Sequence, residues 1–222
     1  MPDATPETPT RRLADIRVEM AKACKIAKRS TEDVALIAVS KTRSADEIRP
    51  LLDAGHRMFG ENRVQEAATK WPDLRISYPD IELHLIGQLQ SNKAEEAVEL
   101  FDCIHSLDRL SLLSALSKAM AKAGKRVPCF IQVNIGEEEQ KGGSAIAELP
   151  ALLDAAKAAN IEVVGLMCIP PADVEAAPYF ALLAELAVRH GLSQLSMGMS
   201  DDFPTAIQLG ATHIRVGTAL FG

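Results

Sequence analysis

The chain has 222 residues, of which 47% are hydrophobic and 24% are charged, and its 24 Lys and Arg against 30 Asp and Glu give a net charge of -6. This composition is typical of a globular protein with a full core, and it excludes disordered and fibrous classes. The acidic balance also argues against a nucleic-acid partner and favours a small or neutral one.

Targeting signals and cysteine pairs are both missing from the sequence. No apolar run reaches the roughly 18 residues of a membrane-spanning helix, and the N-terminus (MPDATPETPT) is acidic and proline-bearing, unlike a secretory signal. No C-x-x-C pair occurs, so we interpret the cysteines as buried free thiols rather than metal ligands or disulfides; they are Cys24, Cys103, Cys129 and Cys168. We therefore expect a cytoplasmic protein with no metal site and no membrane partner.

The rest of the chain alternates short apolar runs with helical patterns. Residues 1–12 are predicted to be a flexible tail, and apolar positions at helical spacing over residues 13–29 predict an extra N-terminal helix. Eight apolar runs follow at a mean spacing of about 26 residues, the length of one strand, one helix and two loops. They span residues 34–40, 57–60, 82–87, 103–107, 127–135, 163–169, 194–199 and 213–217.

Eight such units predict a single (β/α)8 TIM barrel over residues 13–222. A doubly wound open sheet is the alternative, but no G-x-G-x-x-G motif follows the first run. In a barrel the active site lies at the carboxyl ends of the strands, so the residues that close each run are the candidates.

Lys41 directly follows the first run, and we expect it at the barrel mouth. A lysine at a strand end commonly just meets solvent. A partly desolvated ammonium group has a lowered pKa, however, and its free amine can attack an aldehyde to form a Schiff base.

The last two runs predict a phosphate site opposite this lysine. Ser200 follows strand seven and could be no more than a helix cap, whereas Gly217 and Thr218 follow strand eight. Loops after strands seven and eight commonly hold a phosphate in barrels. A phosphate site facing a lysine suggests pyridoxal 5'-phosphate.

Arg215 lies in the last run and has two interpretations. It could be part of a buried ion pair. It could instead donate a hydrogen bond to the pyridine nitrogen and leave that nitrogen unprotonated, which would make the ring a poor electron sink.

Six segments in order carry a resemblance to a known family. They are LIAVSKTRS, FGENRVQEA, HLIGQLQSNK, IQVNIGEEEQKGG, GLMCIPP and LSMGMSDDF with HIRVGTALFG. From about residue 13 to the C-terminus the chain resembles the pyridoxal phosphate homeostasis protein family, which is related in fold to the N-terminal barrel of alanine racemase.

The resemblance implies that Lys41 holds pyridoxal 5'-phosphate as a covalent aldimine. It also implies cofactor-binding roles for the residues matching the family's motifs, which are Asn62 in the pocket, Ser200, Gly217 and Thr218 at the phosphate, and Arg215 at the pyridine nitrogen. His84, Met197 and the loop 134–143 are expected only as the pocket rim. Gln88 departs from the family pattern, and we expect it to lie outside the cofactor motifs.

Two classes of function remain open from the sequence. The resemblance implies a non-catalytic carrier or regulator in intracellular pyridoxal phosphate homeostasis, with cofactor-dependent apo-enzymes as candidate recipients and a monomer or weak dimer as the expected state. A two-base racemase needs a second acid/base on the other face of the cofactor, and the only tyrosines, Tyr78 and Tyr179, are poorly placed for it. The alternatives are a one-domain racemase that uses pyridoxal phosphate and a Schiff-base aldolase that uses Lys41 alone.

Overall fold

Eight parallel strands pair in chain order, and the last pairs with the first to close a barrel in the computed structural model, which describes residues 8–222. The strands are β1 (Ala35–Val39), β2 (Met58–Glu61), β3 (Glu82–Leu85), β4 (Cys103–Leu107), β5 (Cys129–Gln132), β6 (Val163–Met167), β7 (Gln194–Ser196) and β8 (His213–Val216). The predicted (β/α)8 barrel is confirmed, and the open sheet is excluded because β1 and β8 are hydrogen-bonded neighbours.

Helices surround this barrel and connect its strands. They are α1 (Pro9–Ile26), α2 (Ala45–Asp53), α3 (Val64–Ser77), α4 (Ala94–Leu100), α5 (Leu110–Ala123), α6 (Leu149–Ala158), α7 (Ala177–Arg189), α8 (Phe203–Gln208) and α9 (Thr218–Phe221). Short 3-10 turns occur at Thr31–Asp33, Ser91–Lys93 and Ile146–Glu148. Between residues 8 and 222, no helix has both the length and the apolar character that crossing a membrane requires.

The extra N-terminal helix, α1, begins earlier than predicted. Thr8 caps it by accepting a hydrogen bond from the backbone N–H of Arg11, and Pro9 occupies the first turn, where its fixed φ favours a helix. Residues 9–12 are therefore helical, and assigning them to a flexible tail was wrong. Residues 1–7 of the predicted tail lie outside the described residues. The apolar face of α1 packs on α8 and α9.

The buried apolar residues form two clusters. The larger one lies between the strands and the helices and includes the fully buried Trp71, Phe59 and Phe180. A small apolar cluster of Cys103, Phe130 and Met167 forms separately. All four cysteines are free and buried, as predicted. The barrel also buries polar side chains, and these connect its two ends.

Candidate functional site

The six residues predicted to bind a cofactor line one cavity at the carboxyl ends of the strands. The cavity has a volume of about 440 Å³, within the usual range for small-molecule sites. Segments that follow β1, β2, β7 and β8, together with β8 itself, bring the six residues there: Lys41, Asn62, Ser200, Arg215, Gly217 and Thr218. Residues distant in sequence thus converge at the carboxyl ends of the strands, where proteins with this barrel fold hold their ligands.

Lys41 lies two residues beyond the end of β1, in a tight turn at the cavity. Its side chain is exposed, so the predicted partial desolvation of its ammonium group was wrong. Thr42, the next residue, adopts a left-handed conformation with φ of 62°, which is rare for a β-branched residue. The turn therefore needs contacts that hold it in this conformation.

Those contacts come from a buried lysine beneath the turn. Lys70 of α3 donates to the carbonyl oxygens of Ser40 (2.8 Å) and Arg43 (3.0 Å), which flank Lys41 and Thr42. The same ammonium group lies 2.8 Å from Oε1 of Glu61, whose side chain is fully buried at the end of β2. We define Lys70 and Glu61 as the buried pair.

Glu66 and Trp71, both on α3, complete this support. Oε1 of Glu66 accepts from the backbone N–H of Thr42 and, at 3.1 Å, from Lys70. Oε1 of Glu61 also accepts from Ser40 Oγ (2.6 Å) and from the Trp71 indole (3.0 Å). Burial raises the pKa of Glu61, and these donors oppose the rise. One helix thus anchors the segment that presents Lys41.

Ser200 lies at the other side of the cavity, beside the start of α9. The helix that follows Ser200 in sequence, α8, has Asp202 rather than Ser200 as its N-cap. Ser200 Oγ instead accepts a hydrogen bond from the backbone N–H of Ala219 at 3.3 Å. Its hydroxyl therefore faces the start of α9 and satisfies one of the N–H groups there.

Gly217 precedes this turn and allows the end of β8 to approach β1. A Cβ added at Gly217 would lie 3.2 Å from Cβ of Val39 and 3.3 Å from its carbonyl oxygen, closer than most real contacts. Thr218, the first residue of α9, is exposed at the cavity. Backbone and hydroxyl groups of this segment are thereby available to an anionic group.

Arg215 is buried, with only 4% of its surface exposed, and still lines the cavity. Its guanidinium donates to Ser196 Oγ (2.7 Å) and to the carbonyl oxygen of Cys168 (2.9 Å). Burial lowers the pKa of Arg215, but a guanidinium stays protonated in proteins. The side chain thus brings a positive charge to the cavity while its hydrogen bonds go to two uncharged groups.

His84 and Met197 do not lie at the rim, contrary to the sequence prediction. His84 is 1% exposed and faces other histidines within the barrel, whereas Met197 is fully buried in the larger core. Neither residue lines the cavity. His84 lies in β3, which ends one residue later at Leu85. The residues that follow the strand, Ile86 to Gln88, reach the cavity instead.

Sequence reasoning missed several lining residues, among them Gln88 and Gln132, which are joined by a hydrogen bond. Gln88 Nε2 donates to Gln132 Oε1 at 2.7 Å, and Gln132 Nε2 donates to the carbonyl oxygen of Gly142 at 3.1 Å. The loop 134–143 therefore contacts the site, and Gln88, which departs from the family pattern, lines the cavity. The other missed residues are Val39, Ile86, Gly87, Ile169, Met199 and Asp201.

Gly87 sets the position of Asn62. A Cβ at Gly87 would lie 2.2 Å from the carbonyl oxygen of Asn62, so only glycine allows this approach. The signal in the sequence was a glycine directly after an apolar strand.

A second cavity of about 560 Å³ lies at the amino ends of the strands, where Ala35, Met58 and Glu82 begin β1, β2 and β3. It is larger than the first cavity. However, barrel proteins hold their reactive groups at the carboxyl ends, and the exposed amine of Lys41 lies there. The smaller cavity is therefore the candidate site. Lys41, Arg215 and Asp201 are its charged lining residues, which favours an anionic ligand.

The family comparisons agree with this geometry. Residues 18–222 match the family model described as "Alanine racemase, N-terminal domain". The pyridoxal phosphate homeostasis protein of Pseudomonas aeruginosa is 41% identical over 218 residues, covering 95% of this chain and 93% of that protein. The Escherichia coli K12 protein of the same name is 38% identical over 220 residues, covering 95% and 94%. The chain belongs to the pyridoxal phosphate homeostasis protein family.

A solved structure of this family has the same fold. PipY of Synechococcus elongatus PCC7942, determined with pyridoxal phosphate bound, superposes with a TM-score of 0.83 at 39% identity and covers 97% of this chain and 100% of its own. The likeness extends over the whole barrel, so the cavity lies within the matched region.

Proposed function

We propose that the protein binds pyridoxal 5'-phosphate in the 440 Å³ cavity and acts in the homeostasis of this cofactor without efficient catalysis. The observation that carries the proposal is the convergence of an exposed lysine, a buried arginine and the first turn of α9 on one cavity. The names of the relatives and the cofactor-bound PipY structure support it. Apo-enzymes that require the cofactor are the partners that this function implies.

The donor set fits the cofactor from end to end. When bound, pyridoxal 5'-phosphate supplies an aldehyde that condenses with amines and a ring that withdraws electrons. We assign Nζ of Lys41 to attack the aldehyde carbon, so that a C=N bond forms and the aldehyde oxygen leaves as water. The exposure of Lys41 suits this role because the amine is accessible and the turn beneath it is held by the buried pair.

The phosphate group is assigned to the segment at the start of α9. Ser200 Oγ and the Thr218 hydroxyl can each donate to phosphate oxygens, and Gly217 lets the backbone approach the ligand closely. Asn62, held by Gly87, is assigned to the wall of the pocket. In this arrangement Ser200 orients α9 and contacts the ligand with the same hydroxyl.

Arg215 is assigned to the pyridine nitrogen. Its bonds to Ser196 and Cys168 use two of its five N–H donors, and Arg215 is one of the residues that line the cavity. Because a guanidinium cannot give up its proton, it donates to the nitrogen and leaves it unprotonated. An unprotonated ring withdraws electrons poorly and stabilises a carbanion poorly.

The tyrosines also argue against efficient turnover. Neither Tyr78 nor Tyr179 lines the cavity, and the hydroxyl of Tyr78 donates to Asp53. A racemase needs an acid/base group on each face of the cofactor. Binding without efficient turnover is the expected result.

Labelling of the cofactor linkage tests the Lys41 assignment. The purified protein is mixed with pyridoxal 5'-phosphate, reduced with borohydride and mapped by peptide mass spectrometry. We expect the pyridoxyl group on Lys41. In Lys41→Ala we expect both the label and the visible absorption band of the bound cofactor to be lost. Lys93→Ala is the matched control, because Lys93 pairs with Glu96 away from the cavity. A label on Lys93 or Lys141 would refute the assignment.

Proton exchange tests the absence of catalysis. The cofactor-loaded protein is incubated in deuterated water with a panel of amino acids, and exchange of the α-proton is followed by NMR. We expect almost no exchange. Exchange at about 1 per second or faster, an enzyme-like rate, would overturn the carrier function in favour of a racemase.

A further inference from the structure

A chain of hydrogen bonds runs through the barrel from one end to the other. Glu82 Oε1 lies 3.0 Å from His84 Nε2, and His84 Nδ1 lies 2.8 Å from His105 Nε2. His105 Nδ1 lies 2.8 Å from Ser196 Oγ, which accepts from Arg215 at 2.7 Å. We call this series the histidine chain. It joins the cavity at the amino ends of the strands to the site at their carboxyl ends.

The charge states at the two ends determine which atom donates at each step. The hydrogen bond from His84 lowers the pKa of Glu82, so this half-exposed carboxylate is ionised and only accepts. At the other end Arg215 only donates. His105, between them, is neutral because its burial lowers its pKa well below the ordinary value.

One order of donors then satisfies every group in the chain. His84 Nε2–H donates to Glu82, His105 Nε2–H donates to His84 Nδ1, and the Ser196 hydroxyl donates to His105 Nδ1. The lone pairs of Ser196 Oγ then face the Arg215 guanidinium. A serine hydroxyl rotates to suit its partners, so an acceptor on its other side fixes its direction.

A metal site is the other interpretation of these residues. One ring nitrogen each of His84 and His105 and the Sγ of Cys103 lie within 4.8 Å of one another, and all three residues are buried. Two nitrogens bound to one tetrahedral zinc would be about 3.3 Å apart, however, given bond lengths near 2.05 Å. The observed 2.8 Å is a hydrogen-bond distance, and burial raises the pKa of the Cys103 thiol well above its usual value. The contacts therefore favour a hydrogen bond between His84 and His105 over a metal ion held by them.

We propose that His105 is a positioning residue for Arg215, acting through Ser196, and that Glu82 at the opposite end of the barrel fixes the direction of the whole chain. Bonds in such a series polarise one another, so the carboxylate makes Ser196 Oγ a better acceptor for the guanidinium. The effect on the cofactor rests on the proposed function, since it requires Arg215 to face the pyridine ring. The direction of the histidine chain does not depend on the proposed function.

Histidine tautomers test the direction of the chain without any cofactor. In isotope-labelled protein at pH 8, ring nitrogen and carbon shifts in NMR report which nitrogen carries the proton. We expect His105 to be protonated at Nε2 and bare at Nδ1. A proton on Nδ1 of His105, or an even mixture of tautomers, overturns the proposal.

Glu82→Gln tests the role of the distant carboxylate while keeping the side-chain shape. Because an amide can donate as well as accept, we expect His105 to become a mixture of tautomers. Glu162→Gln is the matched control, since Glu162 is exposed just before β6 at the same end of the barrel. An unchanged His105 tautomer in Glu82→Gln overturns the assignment of Glu82.

Cofactor titration gives the second readout, which a purely structural role would not move. We expect Glu82→Gln to weaken pyridoxal 5'-phosphate binding about twofold to fivefold, the scale of a lost polarisation in one charge-assisted bond, and Glu162→Gln to leave it unchanged. Equal affinities of Glu82→Gln and the wild type would overturn the link to Arg215. Failure of the wild type to bind the cofactor would instead refute the proposed function, and the tautomers would still decide the direction of the chain.

Discussion

Replacing Lys70 by Met removes the ammonium group that supports the Lys41 turn. The change leaves Glu61 fully buried without its cationic partner and frees the carbonyl oxygens of Ser40 and Arg43. Removing one member of a buried ion pair typically destabilises a protein by about 3–5 kcal/mol. We expect a loss in this range, because methionine fills the volume but donates no hydrogen bond.

The loss should depend on pH in a defined direction. Burial already raises the pKa of Glu61, and removal of Lys70 raises it further. Folded Lys70→Met then holds a proton that the unfolded chain has released, so its stability decreases as the pH rises through the range between the two pKa values. Urea unfolding at several pH values, monitored by circular dichroism, measures this.

Two further variants separate the buried pair from a general effect. Lys70→Met with Glu61→Gln should be less destabilised than Lys70→Met alone, because no charge is left unpaired. Lys118→Met, at an exposed position of α5, should change stability by less than about 0.5 kcal/mol. The reasoning fails if Lys70→Met costs under about 1 kcal/mol or if its loss is the same at every pH.

Three other changes test separate parts of the molecule. Ser200→Ala should weaken pyridoxal 5'-phosphate binding by about 1–2 kcal/mol in a spectroscopic titration but barely affect unphosphorylated pyridoxal, whereas equal losses would mean that Ser200 only holds the N–H of Ala219. Arg215→Glu should favour a protonated ring, shift the visible spectrum and permit slow transamination; an unchanged spectrum in the folded variant would contradict the Arg215 assignment. Burial lowers the pKa of His56 to about 4, so folded protein resists its protonation and loses stability as the pH falls below the ordinary value of 6.5. Between about pH 7.5 and pH 5 the wild type should therefore lose roughly 2 kcal/mol more than His56→Gln in urea unfolding, and parallel pH profiles would refute this.

The fold could be predicted because parallel strands covered on both faces appear as short apolar runs. Each of the eight runs overlaps a strand, although the ends differ; the run 127–135, for example, yields only Cys129–Gln132. The convergence of Lys41, Ser200 and Thr218 followed from one rule, that the carboxyl ends of barrel strands meet. Hydrophobic pattern and topology were sufficient for this much.

The surroundings of these residues could not be predicted, since they depend on contacts between distant segments. A lysine on a surface helix normally faces solvent, so the sequence gives no sign that Lys70 is buried. Its burial is explained by the four oxygen atoms that surround its ammonium group. His84 was expected at the rim only from the family resemblance. Its partner His105 is 21 residues away, and Ser196 is a further 91 residues along the chain. Strand register, which the sequence pattern does not reveal, aligns these polar groups inside the barrel.

The placement of charge along the barrel bears on how Arg215 acts. A carboxylate hydrogen-bonded directly to the guanidinium would neutralise much of its charge and make the neighbouring ring nitrogen easier to protonate. Arg215 instead bonds to a hydroxyl and a carbonyl, and the carboxylate of Glu82 lies at the far end of the histidine chain. The neutral imidazole of His105 separates the two charges while passing on the polarisation. Under the proposed function, Arg215 thereby keeps its full positive charge for the bound ring, which would hold the pyridine nitrogen unprotonated.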